Sequence, residues 1–231
     1  MSSFNRWFDI LSILIKFAIF ANLCNFLNVN ALVGQNVRPA EEHEFPYVVA
    51  IMKVPKRGPQ LPKHEICTGT LISLQDVLTA EHCIVDYCPL GIEIIVDSID
   101  LLLGKKYFPL WWMTYNQWAT NNNMRLVLSA NDIAIIKLTD NVPNHIRLAI
   151  IATTFEKSMF GSNVQIMGWG KTNDGCIPRN LQTATLKLIT NKVCQNIILR
   201  LTGDNHLIHK RRLCTVSEPY ILMDSDNPKD Q

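Results

Sequence analysis

Charge is scarce in this sequence and nearly cancels. The 22 Lys and Arg face 20 Asp and Glu, and a net of +2 gives no electrostatic reason to expect nucleic acid or an acidic surface as partner. The one basic cluster, His209-Lys210-Arg211-Arg212, reads as a solvated loop before Cys214, with a heparin-like or membrane-surface patch as the alternative. No Asn-x-Ser/Thr sequon occurs, so N-glycosylation is not expected. Internal repeats, low-complexity tracts and flexible linkers are lacking too, and helical periodicity is weak. What is plentiful is apolar surface. At 48% hydrophobic and 18% charged, 231 residues bury a substantial core as one compact unit or two packed halves, and general disorder is excluded.

The N-terminus carries Arg6, then an apolar stretch from Ile10 to Leu27 interrupted by Ser12, Lys16, Asn22 and Asn25. Val29-Asn30-Ala31 offers the small residues that signal peptidase reads, so residues 1–31 are expected to be a secretory signal. An uncleaved anchor is the alternative, because the stretch approaches the minimum spanning length, with Lys16 inside it. Removing the signal takes Cys24 with it and leaves Cys67, Cys83, Cys88, Cys176, Cys194 and Cys214. An even count in an exported chain favours disulfides, but spacing does not give their connectivity.

Beyond Leu32, short runs rich in Val, Ile, Leu and Thr recur between turn signals: Tyr47–Lys53, Thr68–Ser73, Gln75–Thr79, Ile92–Val96, Ile133–Leu138, Ser162–Met167 and Thr183–Ile189. This pattern predicts an all-β sandwich or barrel. The best helix candidate is Asn191–Leu201, with Thr190 as its cap.

Three residues together point to chemistry: His82 in Leu78-Thr79-Ala80-Glu81-His82-Cys83, Asp132 before the apolar run Ile133–Leu138, and Ser225 in Met223-Asp224-Ser225-Asp226-Asn227-Pro228. Nucleophilic acyl transfer needs a hydroxyl, an imidazole to take its proton and a carboxylate to orient the imidazole. With Gly168-Trp169-Gly170 and Leu32-Val33-Gly34-Gln35, these motifs resemble the chymotrypsin/trypsin-like serine proteases, the family whose triad mechanism is the general template for acyl transfer through serine.

That resemblance implies one protease domain over residues 32–231, built as two six-stranded β-barrels with the site at their seam. The first barrel would run over about 32–138 and the second, left incomplete six residues after Ser225, over about 149–231. It implies His82, Asp132 and Ser225 as a catalytic triad, no metal or cofactor, and disulfides Cys67–Cys83 and Cys194–Cys214. Cys88 and Cys176 have no standard partners and pair with each other only if two surface loops meet; a free or intermolecular thiol at either is the alternative. Asp224 matches the residue that pairs with a new amino terminus, here Leu32, and the N–H groups of Met223 and Ser225 match the oxyanion donors. The family motif is Gly-Asp-Ser-Gly-Gly-Pro, and every glycine of it is replaced here. Glycine reaches the required backbone freely, whereas a side-chained residue pays about 1–2 kcal/mol in left-handed space. Glu81 stands where the family has alanine, and a second carboxylate beside the imidazole would favour its protonated form. The position expected to anchor a basic substrate side chain falls on Pro219, so no acidic anchor is visible. The implied partners are protein or peptide substrates, or other proteases if the chain is inactive, with no nucleic acid and no membrane after signal cleavage.

The signal reading has a direct check. Edman sequencing of secreted material should begin at or within a residue or two of Leu32; a product retaining residues 1–31 in a membrane fraction would refute it.

Overall fold

A computed structural model describes residues 36–124, 131–153, 156–171, 176–208 and 212–217. The β-rich runs become strands almost where the turn signals delimit them. Seven make one antiparallel sheet: β2 (Val48–Lys53), β3 (Glu65–Leu71), β4 (Asp76–Thr79), β5 (Ile92–Val96), β6 (Lys105–Tyr107), β7 (Pro109–Thr114) and β8 (Ala134–Leu138), in the order β6-β5-β2-β3-β4-β8-β7. The two edge strands of that order, β6 and β7, are separated in sequence by Phe108 alone. One residue spans only about 3.5 Å, so the two edges must lie side by side and the sheet must curl into a barrel.

Period-two alternation then sorts the side chains. Val49 and Ile51 of β2 enter the barrel with Leu71, Val77, Ile94, Ile136 and Leu138, while Val48, Ala50 and Met52 point the other way, onto a second cluster with Leu101, Trp169 and Leu181. A strand buried on both faces cannot alternate apolar with polar, which is why β2 reads as an unbroken apolar run. Gly69 of β3 is needed for space: a Cβ there would stand 2.7 Å from Val77 Cγ1 and 3.2 Å from Val49 Cγ2.

The second sheet is built on β10 (Gln182–Ile189). It pairs along one edge with β9 (Asn163–Gly168), and along the other with β1 (Val37–Pro39) and β11 (Cys214–Val216) in tandem. β1 therefore does not join the first barrel, to which its place in the sequence assigns it. Ala40 N–H continues its pairing by donating to the Leu181 carbonyl at 2.8 Å. The two units meet at Trp169, which is fully buried and donates its indole N–H to the Ile99 carbonyl at 2.9 Å, and at Arg179, ion-paired to Asp100 at 2.7 Å.

Two of the helices among the described residues bear on the site and its frame. α1 (Tyr115–Asn121) starts with a reciprocal cap: Thr114 Oγ1 accepts from Gln117 N–H at 3.2 Å and Gln117 Oε1 from Thr114 N–H at 3.0 Å. α2 (Asn191–Thr202) starts on Thr190, whose hydroxyl accepts from Val193 N–H, and stops at Gly203 with φ of 79°. Among the described residues no helix is long and apolar enough to cross a membrane. The architecture is all-β, a curled seven-stranded sheet beside a four-stranded one, as the expected double-barrel plan requires.

Two carboxylates stand opposite Met52 on its neighbouring strands. Glu93, buried, is ion-paired to Lys106 at 2.8 Å, whereas burial pushes the Glu65 carboxyl up to about 7. A raised acid keeps a proton in the folded state that the unfolded chain releases. Its contribution is therefore most favourable below the ordinary value of 4.5 and is lost as pH climbs through about 7. Urea unfolding of the protein and of Glu65→Gln at pH about 4 and about 8 should show the stability difference between them changing by about 1–3 kcal/mol, with the wild type losing ground at the higher pH.

Candidate active site

Strand register brings the first two site residues together. β4 and β8 run antiparallel with Thr79 opposite Ala134. The chain leaving β4 thus emerges at the same end of the sheet where the chain enters β8. His82, three residues past β4, comes to lie against Asp132, two residues ahead of β8. His82 sits in a single 3-10 turn, Glu81–Cys83, and Cys83 is buried in the barrel core and bonded to Cys67 of β3, with Cα atoms 5.9 Å apart. The histidine backbone is held on both sides, by a ladder and by a covalent bond.

The contacts are those of an oriented base. Asp132 Oδ2 lies 2.5 Å from His82 Nδ1, and Asp132 Oδ1 accepts the His82 backbone N–H at 2.9 Å. With Nδ1–H given to the carboxylate, Nε2 carries the lone pair and is the nitrogen able to accept a proton. The pair is open to solvent, with the two side chains 60% and 54% exposed, so a ligand reaches it without rearrangement of the barrel. Burial pushes the Asp132 carboxyl up. The His82 backbone N–H, the imidazole and the Glu81 backbone N–H outweigh it, and the net effect is a value below the ordinary carboxylate range. Asp132 is therefore an anion at neutral pH, as an orienting group must be.

Glu81 does not turn its carboxylate to the imidazole. Both of its oxygens accept from Asn116 Nδ2 on α1, at 3.1 Å each. Asn116 is a residue that sequence reasoning passes over; the Thr114-x-x-Gln117 capping box signals the helix start on which it sits, but not its neighbour across the fold. Cys67, His82 and Cys83 bring three metal-type donor atoms within 4.8 Å of one another. The two sulfurs are bonded to each other and offer no thiolate, so the cluster in this state is a structural staple.

The remaining expectations divide. The structure holds disulfides Cys67–Cys83 and Cys194–Cys214, the latter fastening α2 to β11. Cys88 is a free, exposed thiol, whereas Cys176 is disulfide-bonded, so these two do not pair with each other. Gly168 lies in the seam, where a Cβ would come within 3.2 Å of Thr68 Oγ1 on β3. Ser225, Met223, Asp224, Leu32 and the signal segment 1–31 lie outside the described residues.

Comparison with known proteins bears on most of the chain, up to residue 220. The family profile described as Trypsin matches residues 35–220. Venom serine protease 34 of Apis mellifera is 26% identical over 179 residues, which is 74% of this chain and 42% of that protein. Tryptase of Mus musculus is 28% identical over 174 residues, 70% of this chain and 61% of that protein. Transmembrane protease serine 11C of Mus musculus is 30% identical over 161 residues, 68% and 34% of the two. The chain thus spans less than two thirds of the length of these relatives. Among solved structures, the VesB protease of Vibrio cholerae superposes with a TM-score of 0.55 at 22% identity, covering 74% of this chain and 49% of that one.

The covalent frame is open to test by non-reducing peptide mapping. It should recover Cys67 linked to Cys83 and Cys194 linked to Cys214, with Cys88 alkylated in the native protein. Removing the first link by Cys67→Ala with Cys83→Ala should cost about 3 kcal/mol in unfolding free energy. A Cys67–Cys176 peptide would break the register on which the site rests.

Proposed function

Since the chain belongs to the trypsin family of serine proteases, we propose that it is a secreted serine endopeptidase-family protein in which His82 is the general base, Asp132 its orienting anion and Ser225 the nucleophile position. The observation that carries this reading is the His82–Asp132 contact, made through both the ring and the backbone of one histidine. In the reaction so assigned, Nε2 takes the Ser225 hydroxyl proton as oxygen attacks the carbonyl carbon of a peptide bond, and returns it to the leaving amine; water then repeats the cycle on the acyl group. The substrates are proteins or peptides. Export is supported by the N-terminal apolar stretch and by the disulfides.

A second reading has its own support. The oxyanion formed in that attack needs two converging N–H groups, and the turn that would supply them carries Met223, Asp226 and Asn227 in place of glycine. Loss of one donor lowers turnover by about 10²–10³-fold. A family member so altered acts by binding, as a decoy or cofactor for active proteases.

A fluorophosphonate probe separates the two, because it reports an activated serine without a known substrate. The first reading predicts labelling of Ser225; the second, resting on the replaced glycines, predicts no labelling and no turnover of peptide substrates. Labelling of Ser225 that disappears in Ser225→Ala and in His82→Ala would establish the enzyme and remove the binding reading.

A further inference from the structure

Three contacts knit the histidine turn, the approach to β8 and α1 into one joint. The backbone N–H groups of Glu81 and His82 both serve the Asp132 carboxylate. Tyr115 N–H, at the start of α1, donates to the Ile133 carbonyl at 2.9 Å. The third contact is between side chains: Asn116 Nδ2 donates to both oxygens of Glu81.

The first two contacts position Asp132; the third does something different. Glu81 immediately precedes His82 in the 3-10 turn, and its carboxylate is the acid nearest in sequence to the imidazole after Asp132 is engaged. Two carboxylates on one imidazole stabilise the imidazolium, and a base already protonated accepts nothing. We infer that Asn116 is a positioning residue that acts through Glu81: its amide holds the second carboxylate on α1 and keeps it off His82. The inference rests on the reading of His82 as a base.

α1 is suited to this task because it brings no charge of its own. No acidic residue lies in its first turn and no basic residue in its last. An amide donor satisfies the carboxylate without adding a cation that would drag on Asp132 as well. The start of α1 is fixed by Thr114 and Gln117 and not by Asn116, so the helix and the amide are separable. The titratable groups at the turn are Asp132, in contact with the ring, and Glu81, held by Asn116; Glu65 of β3 stands opposite Met52, Asp76 of β4 is paired with Lys137 of β8, and Cys67 and Cys83, being bonded together, do not titrate.

The experiment follows the His82 ring by NMR as a function of pH in the full chain, with its resonance assigned by His82→Ala. In Asn116→Ala the titration midpoint should rise by about half a unit or more relative to wild type, the direction a newly freed carboxylate imposes. Alanine is the better helix former, and the cap residues are untouched, so the variant should fold. In Asn116→Ala combined with Glu81→Gln the rise should vanish. No rise in the single variant, or a rise that survives Glu81→Gln, overturns the assignment. The His82 readout does not require a reactive Ser225, so an inert serine and a failed role for Asn116 give different results.

Discussion

The pairing of β4 with β8 is the constraint on which the rest depends. Thr79 opposite Ala134 fixes Val77 opposite Ile136, two side chains fully buried in the barrel. A slip of β8 by one residue would turn Ile136 outward and bring Ile135, now exposed, into the core position. The same slip would carry Asp132 away from His82. The geometry of the candidate base is thus protected by the hydrophobic effect acting several residues away. The Cys67–Cys83 bond adds a second, chemically independent hold on the same turn.

The two halves of the proposed chemistry have different physical origins. The base half comes from one sheet: His82 follows β4, Asp132 precedes β8, and these are neighbouring strands of the first barrel. The oxyanion half depends on backbone freedom in a short sequence motif far along the chain, where Met223, Asp226 and Asn227 stand instead of the family's glycines. Register is robust because many core contacts vote for it, whereas a glycine turn is lost by single substitutions. A chain of this family can therefore keep an assembled His–Asp pair after the sequence of its oxyanion turn has changed.

Much of this is legible in the sequence, for identifiable reasons. Ile92–Val96 matches its strand to the residue, and α2 runs one residue beyond the expected Asn191–Leu201, because an apolar run and a Thr cap are strong local signals. β1 and β11, three residues each, and β6, also three, are too short to show periodicity. β7 escapes notice although it carries two tryptophans, since a proline opens it and a bulge between Pro109 and Trp111 breaks its alternation. At the site, His82 and Asp132 are readable because motif and strand boundary coincide. Asn116 is not, because its partner Glu81 lies 35 residues away and no local pattern announces a contact across the fold.

The placement of β1 has a consequence for how the molecule is made. Val37 pairs with Ala184, nearly the whole described chain away, and Ala40, just past β1, joins the cluster that seals the two units. A ribosome delivers this strand first and its partner β10 almost last. Until then the inter-barrel face of β2, with Val48, Ala50 and Met52, has nothing from the second sheet to cover it. Synthesis of this fold therefore passes through a stage in which a nascent first barrel displays an apolar face and an unmatched strand, the kind of intermediate that recruits chaperones and swaps strands with its neighbours.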